Sequence, residues 1–116
     1  MICIRLECDD GDGIFKCREK GFDLNNFPLG IKIAHLHDSF PNPYEEFGSK
    51  FNPNYYCTYK SFTQLLAWIH IEELKELISR GVSIYIIKIE EGLIGKYQIC
   101  YKKKNIIWKK NINNLI

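Results

Sequence analysis

Residues that could do chemistry are most concentrated in the segment His35-Leu36-His37-Asp38, which holds two imidazoles and a carboxylate. Two histidines two residues apart are candidate metal ligands, and Asp38 or Cys57 would have to join them. Because no third ligand follows at a typical spacing, the sequence predicts no metal site. Two interpretations of His37 stay open: a loop histidine that contacts a substrate above a pocket, or one that is only hydrogen-bonded within its loop.

Arg5 and Gln98 are further candidates, because each lies on the polar side of a predicted strand. Arg5 alternates with apolar residues in the segment from Ile2 to Cys8. Gln98 alternates with apolar and aromatic residues in the segment from Lys96 to Lys103. If the two strands share a sheet, both side chains are expected to point into one cleft. The loop that carries His37 would then close over that cleft.

The elements that must position these residues include a helical segment from Ser61 to Arg80, predicted as two short helices or one kinked helix. Ser61 and Gln64 have the spacing of a capping box, in which the serine hydroxyl accepts from the N–H of residue 64. Apolar residues at helical spacing predict one buried face; they are Leu65, Leu66, Trp68, Ile69, Leu74, Leu77 and Ile78. Gly81 suits the left-handed position that ends such a helix.

The rest of the chain predicts strands and one long loop. Residues 82–91 are β-branched and aromatic without a breaker, which is typical of a strand buried on both faces. Gly95 marks a turn before the return strand of residues 96–103. Residues 9–13 predict the turn of an N-terminal hairpin whose second arm is 14–17. Residues 18–54 combine helix and strand breakers with many aromatic rings, which predicts a long ordered loop.

Together these elements predict an α+β fold: a twisted, mainly antiparallel sheet with one short helical layer and the aromatic loop. At 116 residues the sequence predicts a single domain, residues 1–116. It lacks an apolar run of about 18 residues, and acids near its start argue against a signal peptide. The 5 cysteines are odd in number and form no C-x-x-C pair, which favours reduced thiols in a cytoplasmic protein.

The net charge of +2 is too small to require a nucleic-acid partner. The late lysines nevertheless form a local basic patch around Trp108; they are Lys102, Lys103, Lys104, Lys109 and Lys110. Such a patch can meet an acidic partner or phosphates. More often such a patch is a solvated edge strand whose lysines keep it from pairing with other chains.

Short motifs across most of the chain resemble those of small proteins encoded by phages and prophages. The motifs are Arg5, Gly11-x-Gly13-Ile14-Phe15, His37 with Pro41-x-Pro43, Ser61-x-x-Gln64-Leu65-x-x-Trp68, Leu74-x-x-Leu77 before Gly81, and Gly95-x-x-Gln98. This resemblance implies a phage protein that acts in the cytoplasm of the host cell.

The same layout is similar, more distantly, to the ADP-ribosyltransferase superfamily. In that superfamily a polar residue on the first strand, a Tyr or Ser on a middle strand and an acid on a late strand surround nicotinamide and its ribose. The matching positions are Arg5, then Tyr59 or Ser61, then Gln98. An amide can hydrogen-bond a ribose hydroxyl but cannot supply the charge that stabilises an oxocarbenium ion. The resemblance therefore implies binding of an NAD- or ADP-ribose-like nucleotide more than transfer.

Two functions of different classes follow. In the first, a phage counter-defence protein binds an NAD- or ADP-ribose-like nucleotide and sequesters it. ADP-ribosyl transfer to a host protein would use the same site and differ from sequestration only in the chemical step. Arg5 would hold phosphate, His37 and Tyr59 would flank the base or ribose, and Gln98 would bind hydroxyls. In the second, the protein inhibits a host defence complex by direct contact, as anti-CRISPR proteins do. Its aromatic loop and basic tail would then form the interface, with no small-molecule site.

Overall fold

The computed structural model describes residues 1–8 and 43–116. In these ranges six strands form one sheet: β1 (Ile2–Glu7), β2 (Tyr55–Tyr59), β3 (Ser83–Ile89), β4 (Leu93–Ile94), β5 (Gln98–Lys102) and β6 (Ile106–Asn111). The helices of the same ranges are short: α1 (Pro43–Phe47), α2 (Phe62–Trp68) and α3 (Ile71–Ser79). Single 3₁₀ turns cover Gly48–Lys50, Lys103–Asn105 and Asn113–Leu115. The predicted α+β class with a mainly antiparallel sheet is confirmed.

The sheet has the strand order β4-β5-β2-β1-β3-β6, and every neighbouring pair is antiparallel. The first strand of the chain is therefore an inner strand, with Ile4 opposite Tyr59 on β2 and opposite Ile86 on β3. The predicted return strand also forms, as β5, but it pairs with β4 and β2 and not with β3. Both sides of β3 are occupied by β1 and β6, so β5 must pair elsewhere.

The helical segment divides into α2 and α3, as the sequence predicts. The Ser61 hydroxyl accepts from the Gln64 N–H at 3.1 Å, which confirms the helix cap. The Gln64 side chain reaches back one residue further than a capping box requires, and accepts from the Lys60 N–H at 2.6 Å. After a break in extended backbone, His70 caps the N-terminus of α3, and its N–H donates to the Glu73 carboxylate at 3.1 Å.

Gly81 ends α3 in the left-handed region, with φ +96°. Its N–H donates to the Ile78 carbonyl at 3.0 Å, and the Val82 N–H donates to the Leu77 carbonyl at 3.0 Å. These two bonds form a Schellman motif, and Leu77 and Val82 both lie in the core, as that motif favours. The predicted left-handed cap is confirmed.

Apolar residues form two clusters on the two faces of the sheet. We call the face under α2 and α3 the helical face; its buried cluster is Ile4, Leu6, Cys8, Leu65, Ile69, Leu74, Leu77, Val82, Ile84 and Ile112. We call the other side the opposite face; its cluster is Cys3, Ile87, Ile89, Ile99 and Tyr101. Ile84 and Ile87 of β3 belong to different clusters, which confirms that this strand is buried on both faces.

Part of the predicted aromatic loop is described, from Pro43 onward. It contains α1, and the rings of Tyr44 and Phe51 make an edge contact with centroids 4.8 Å apart. The predicted turn at 9–13, its second arm at 14–17 and loop residues 18–42 lie outside the described residues. No helix in the described part of the chain is long and apolar enough to cross a membrane.

Candidate functional site

Arg5 and Glu7 of β1 form a buried ionic pair on the opposite face. Their side chains are 7% and 5% exposed, and Arg5 Nε lies 3.3 Å from Glu7 Oε2. An Nη atom of Arg5 also donates to the Cys57 carbonyl at 2.7 Å. The guanidinium stacks over the Tyr56 ring, 4.9 Å from its centroid. The Arg5 side chain is thus held by Glu7 on its own strand and by Cys57 and Tyr56 on β2, whereas the sequence predicted an arginine that faces a ligand.

Lys109 of β6 extends this pair to a charged cluster, which we define as Arg5, Glu7 and Lys109; the Lys109 side chain is 32% exposed. The Lys109 ammonium contacts both oxygens of Glu7, at 2.8 Å from Oε2. It also lies 4.3 Å from the centroid of the Tyr85 ring. The Glu7 carboxylate therefore contacts two cations, Arg5 on β1 and Lys109 on β6. These two strands lie on opposite sides of β3 in the sheet. This arrangement fixes strands together, since charges buried in this way need partners of opposite sign.

Tyr59 and Ser61, the two candidates near the end of β2, have structural partners. The Ser61 hydroxyl is used by the α2 cap described above. Tyr59 faces the helical side and packs against the core there. Burial raises the pKa of the Tyr59 hydroxyl above its ordinary value, so this phenol stays neutral as a hydrogen-bonding group.

Gln98 is buried at the start of β5, directly opposite Tyr59 in the register of β2 and β5. Because Tyr59 also pairs with Ile4, Gln98 lies on the helical face with both of them. Arg5 follows Ile4 on β1 and points to the opposite face. The expectation that Arg5 and Gln98 share one cleft is therefore wrong. A shift of one residue in register reverses a side chain's face, and the sequence alone does not fix the register.

The structure thus brings together Tyr59 and Gln98, but neither lies with Arg5. His35, His37 and Asp38 lie outside the described residues. Within the described ranges, no three histidine, cysteine or acidic side chains form a group able to hold a metal ion.

Sequence reasoning missed Glu46 of α1, whose carboxylate caps the β4–β5 hairpin. It accepts from the Tyr97 N–H at 3.1 Å and from the Gln98 N–H at 3.2 Å. A side chain at Gly95 would collide with this carboxylate, so the glycine permits the close approach. The acid is 51 residues from Tyr97, and no local pattern indicates that contact.

Cys57 and Cys100 form a second arrangement that the sequence does not reveal. They are directly opposite each other on β2 and β5, and their sulfur atoms lie 3.2 Å apart. Both are free thiols, as is Cys3. Cys8 differs from the expectation of reduced thiols, because it is disulfide-bonded. Cys57 is half-buried and Cys100 is fully buried.

An exposed apolar and basic surface lies at the β6 side of the sheet. Ile2, Lys88 and Trp108 are consecutive partners across β1, β3 and β6 and form one row on the helical face. All three are exposed, with Ile2 at 43% and Trp108 at 41%. A β-bulge between Lys88 and Ile89 leaves Ile107 without a direct partner on β3, and it is 55% exposed. With Lys110, these residues define what we call the Trp108 surface.

The protein with this antiparallel sheet and its two packed faces is similar to a family of phage proteins. The family model described as Bacteriophage T4 Y00F protein matches residues 1–113. The chain, matched over nearly its whole length, belongs to the Bacteriophage T4 Y00F protein family. Comparisons with curated proteins and with solved structures find no significant match. The phage resemblance inferred from the motifs is confirmed at this level, while the resemblance to ADP-ribosyltransferases stays a prediction.

Proposed function

We propose that this phage protein acts by binding an acidic surface of a host protein through the Trp108 surface. The single observation that carries the proposal is the row of Ile2, Lys88 and Trp108, exposed across three strands of a sheet whose other apolar residues are largely buried. Exposed apolar side chains grouped in one place and bordered by charges are typical of protein–protein contact sites. Counter-defence, by inhibition of a host complex, is the biological role that this binding would serve.

The composition of the surface favours a protein partner with acidic groups. Trp108 offers a large ring of the kind that anchors interfaces, and Ile107, the exposed bulge residue next to it on β6, adds apolar area at this edge of the sheet. Lys88 and Lys110 flank the ring from β3 and β6 and supply positive charge. Two copies of the same surface would bring like charges together, which disfavours self-association. Charge complementarity therefore selects a different, acidic partner.

Matched substitutions on the two edges of the sheet can test this proposal. Ile107 on β6 and Ile94 on β4 are the same residue type with similar exposure, 55% and 58%. Ile107→Ala and Trp108→Ala should reduce capture of a host protein, while Ile94→Ala should leave it unchanged. With the captured partner purified, Trp108→Ala should weaken binding by roughly 30-fold, as expected of an interface anchor. The affinity should also fall as salt rises, because lysines contribute.

Several outcomes would contradict the proposal. Equal capture by all three variants would exclude the Trp108 surface as the contact site. Loss of capture after nuclease treatment would indicate a nucleic acid instead of a protein. A concentration-dependent dimer that Trp108→Ala abolishes would assign the surface to a second copy of the chain.

Binding of an NAD- or ADP-ribose-like nucleotide is the second candidate function. It is favoured by one observation, the direct pairing of Tyr59 and Gln98, which places a phenol and an amide side by side. Calorimetry with NAD, ADP-ribose and cyclic nucleotides tests it, and Gln98→Ala should weaken any binding by about tenfold, a neutral hydrogen bond. Gln98→Glu should raise NAD cleavage if the site is of the transferase type. Absence of heat with every ligand would reject this candidate.

A further inference from the structure

We propose that Cys57 and Cys100 form a reversible redox site, which closes to a disulfide by exchange with a low-molecular-weight disulfide such as oxidised glutathione. The proposal is independent of the partner-binding function. It is carried by the direct pairing of the two residues on β2 and β5 and by the 3.2 Å between their sulfur atoms.

The backbone already has the spacing that a disulfide needs. Directly opposed residues of an antiparallel pair have Cα atoms about 4.5–5.5 Å apart, and disulfides accept about 4.4–6.8 Å. Both thiols point to the same face, because paired residues do so. Bond formation would bring the sulfur atoms from 3.2 Å to about 2.05 Å. Small side-chain rotations achieve this change, with β2 and β5 kept in register.

The two thiols have different environments, which assigns them different roles. Cys57 is half-buried, whereas Cys100 has no exposed surface. The hydrogen bond from the Cys100 thiol lowers the pKa of Cys57, although burial opposes this, and the positive charge of Arg5 lowers it further. The same contact with Cys57, together with burial, raises the pKa of Cys100. Cys57 is therefore the attacking thiol and Cys100 the resolving one.

The reaction balances as two successive exchanges. The Cys57 thiolate attacks one sulfur of oxidised glutathione, whose S–S bond breaks and releases one glutathione thiolate. Cys100 then loses its proton and attacks the Cys57 sulfur of the mixed disulfide, which releases the second glutathione. The protein loses two hydrogen atoms, that is two electrons and two protons. Oxidised glutathione gains them and becomes two thiols, so a change in the glutathione ratio reverses the reaction.

The surroundings of the pair explain what closure would change. The Cys57 carbonyl accepts from Arg5 at 2.7 Å, so the cysteine pair is joined through the backbone to the buried Arg5 of the charged cluster. Cys100 lies two residues after Gln98, whose Oε1 is 4.0 Å from the Cys100 sulfur. A bond between positions 57 and 100 would tie β2 to β5 and restrict the unfolded chain between them. The oxidised form should therefore melt at a higher temperature than the reduced form.

The test uses the full chain in buffers of varied glutathione ratio, followed by acid quenching, thiol alkylation and peptide mapping by mass spectrometry. The expected result is a cross-link between Cys57 and Cys100, reversible on raising reduced glutathione, with Cys3 still alkylated as a free thiol. Cys100→Ser should accumulate one glutathione on Cys57. Cys57→Ser should leave Cys100 unmodified. Cys3→Ser serves as the matched control and should leave the cross-link intact.

Three results would overturn the proposal. In the first, Cys57 and Cys100 both remain thiols in the folded protein under excess oxidised glutathione. In the second, Cys57→Ser is glutathionylated at Cys100 as fast as Cys100→Ser is at Cys57. In the third, either residue cross-links to a different cysteine. If a serine variant fails to fold, the unaltered chain can be treated with a trivalent arsenical, which bridges two nearby thiols. Protection of both Cys57 and Cys100 from alkylation would support the proposal, and alkylation of both would overturn it.

Discussion

Arg5 and Glu7, two residues apart on β1, hold each other in a buried ionic contact of 3.3 Å between Nε and Oε2. The ammonium group of Lys109 on β6 contacts the same Glu7 carboxylate, so the ionic contacts continue to a second strand. Glu7 is therefore the one acid that two cations share within this cluster. Removing its charge would leave the buried Arg5 guanidinium without its carboxylate, which costs more than the loss of an exposed ion pair.

We expect Glu7→Gln to lower the free energy of unfolding by about 3 kcal/mol or more, as breaking a buried ion pair does. Urea denaturation followed by circular dichroism measures the change. Glu72→Gln is the matched control, because Glu72 pairs with Lys75 where both side chains are more than half exposed. That change should cost less than about 1 kcal/mol. Equal costs for the two variants would contradict the structural role of the cluster.

Leu74→Ala should lower the free energy of unfolding by about 2–5 kcal/mol, because it opens a cavity between α3 and the sheet. Leu74 has no exposed surface, whereas Leu66 on α2 is 36% exposed. The same substitution at Leu66 should cost clearly less, since part of that side chain already meets water. Chemical denaturation of both variants checks the difference. A loss at Leu74 below about 0.5 kcal/mol would contradict its place in the core.

Gly81→Ala should cost about 1–2 kcal/mol, because a residue with a Cβ is strained in the left-handed region. No atom lies within 4 Å of the position that this Cβ would take, so crowding contributes nothing. Gly81→Asn should cost less than the alanine variant, since asparagine tolerates this conformation better. The melting temperatures of the two variants measure the order. An alanine variant as stable as the natural protein would show that the α3 cap can relax.

The stability should fall at alkaline pH. Burial raises the pKa of the Tyr59 and Tyr101 hydroxyls, so the unfolded chain ionises first, near pH 10. The neutral phenols contribute fully below that pH, and their contribution is lost as the pH rises from the unfolded pKa through the folded one. Tyr59→Phe and Tyr101→Phe should each weaken this decline. Tyr44→Phe, at an exposed ring, should not, and equal slopes for all variants would refute the assignment.

Features decided by neighbouring residues were predictable from the sequence. The alternation of β1, the Ser61 cap, the division between α2 and α3 and the left-handed Gly81 each depend on a few adjacent side chains. Their physical causes are hydrogen bonding and local sterics, which act within a turn or a strand. These predictions are confirmed because tertiary packing agrees with the local preferences.

Features decided by pairing between distant segments were not predictable. The shared face of Tyr59 and Gln98, and the separation of both from Arg5, depend on the registers of β1 with β2 and of β2 with β5. The contact of Glu7 with Lys109 likewise joins residues 102 positions apart. A polar residue on an alternating strand has the same local signature whether it faces water or a buried carboxylate. The residue types of the candidate site could therefore be proposed from the sequence, but which of these residues lie on the same face of the sheet could not.

The inner place of β1 has a consequence for the order of events during synthesis. Its two neighbours in the sheet begin at Tyr55 and Ser83, so both are made well after β1. At about 5–20 residues per second, translation of the roughly 80 residues up to β3 takes on the order of 4–16 seconds. Within that interval β2 is made first and can pair with β1 at Ile4 and Tyr59. The pairing of β1 with β3, which runs along the whole of β1, can form only once β3 has left the ribosome.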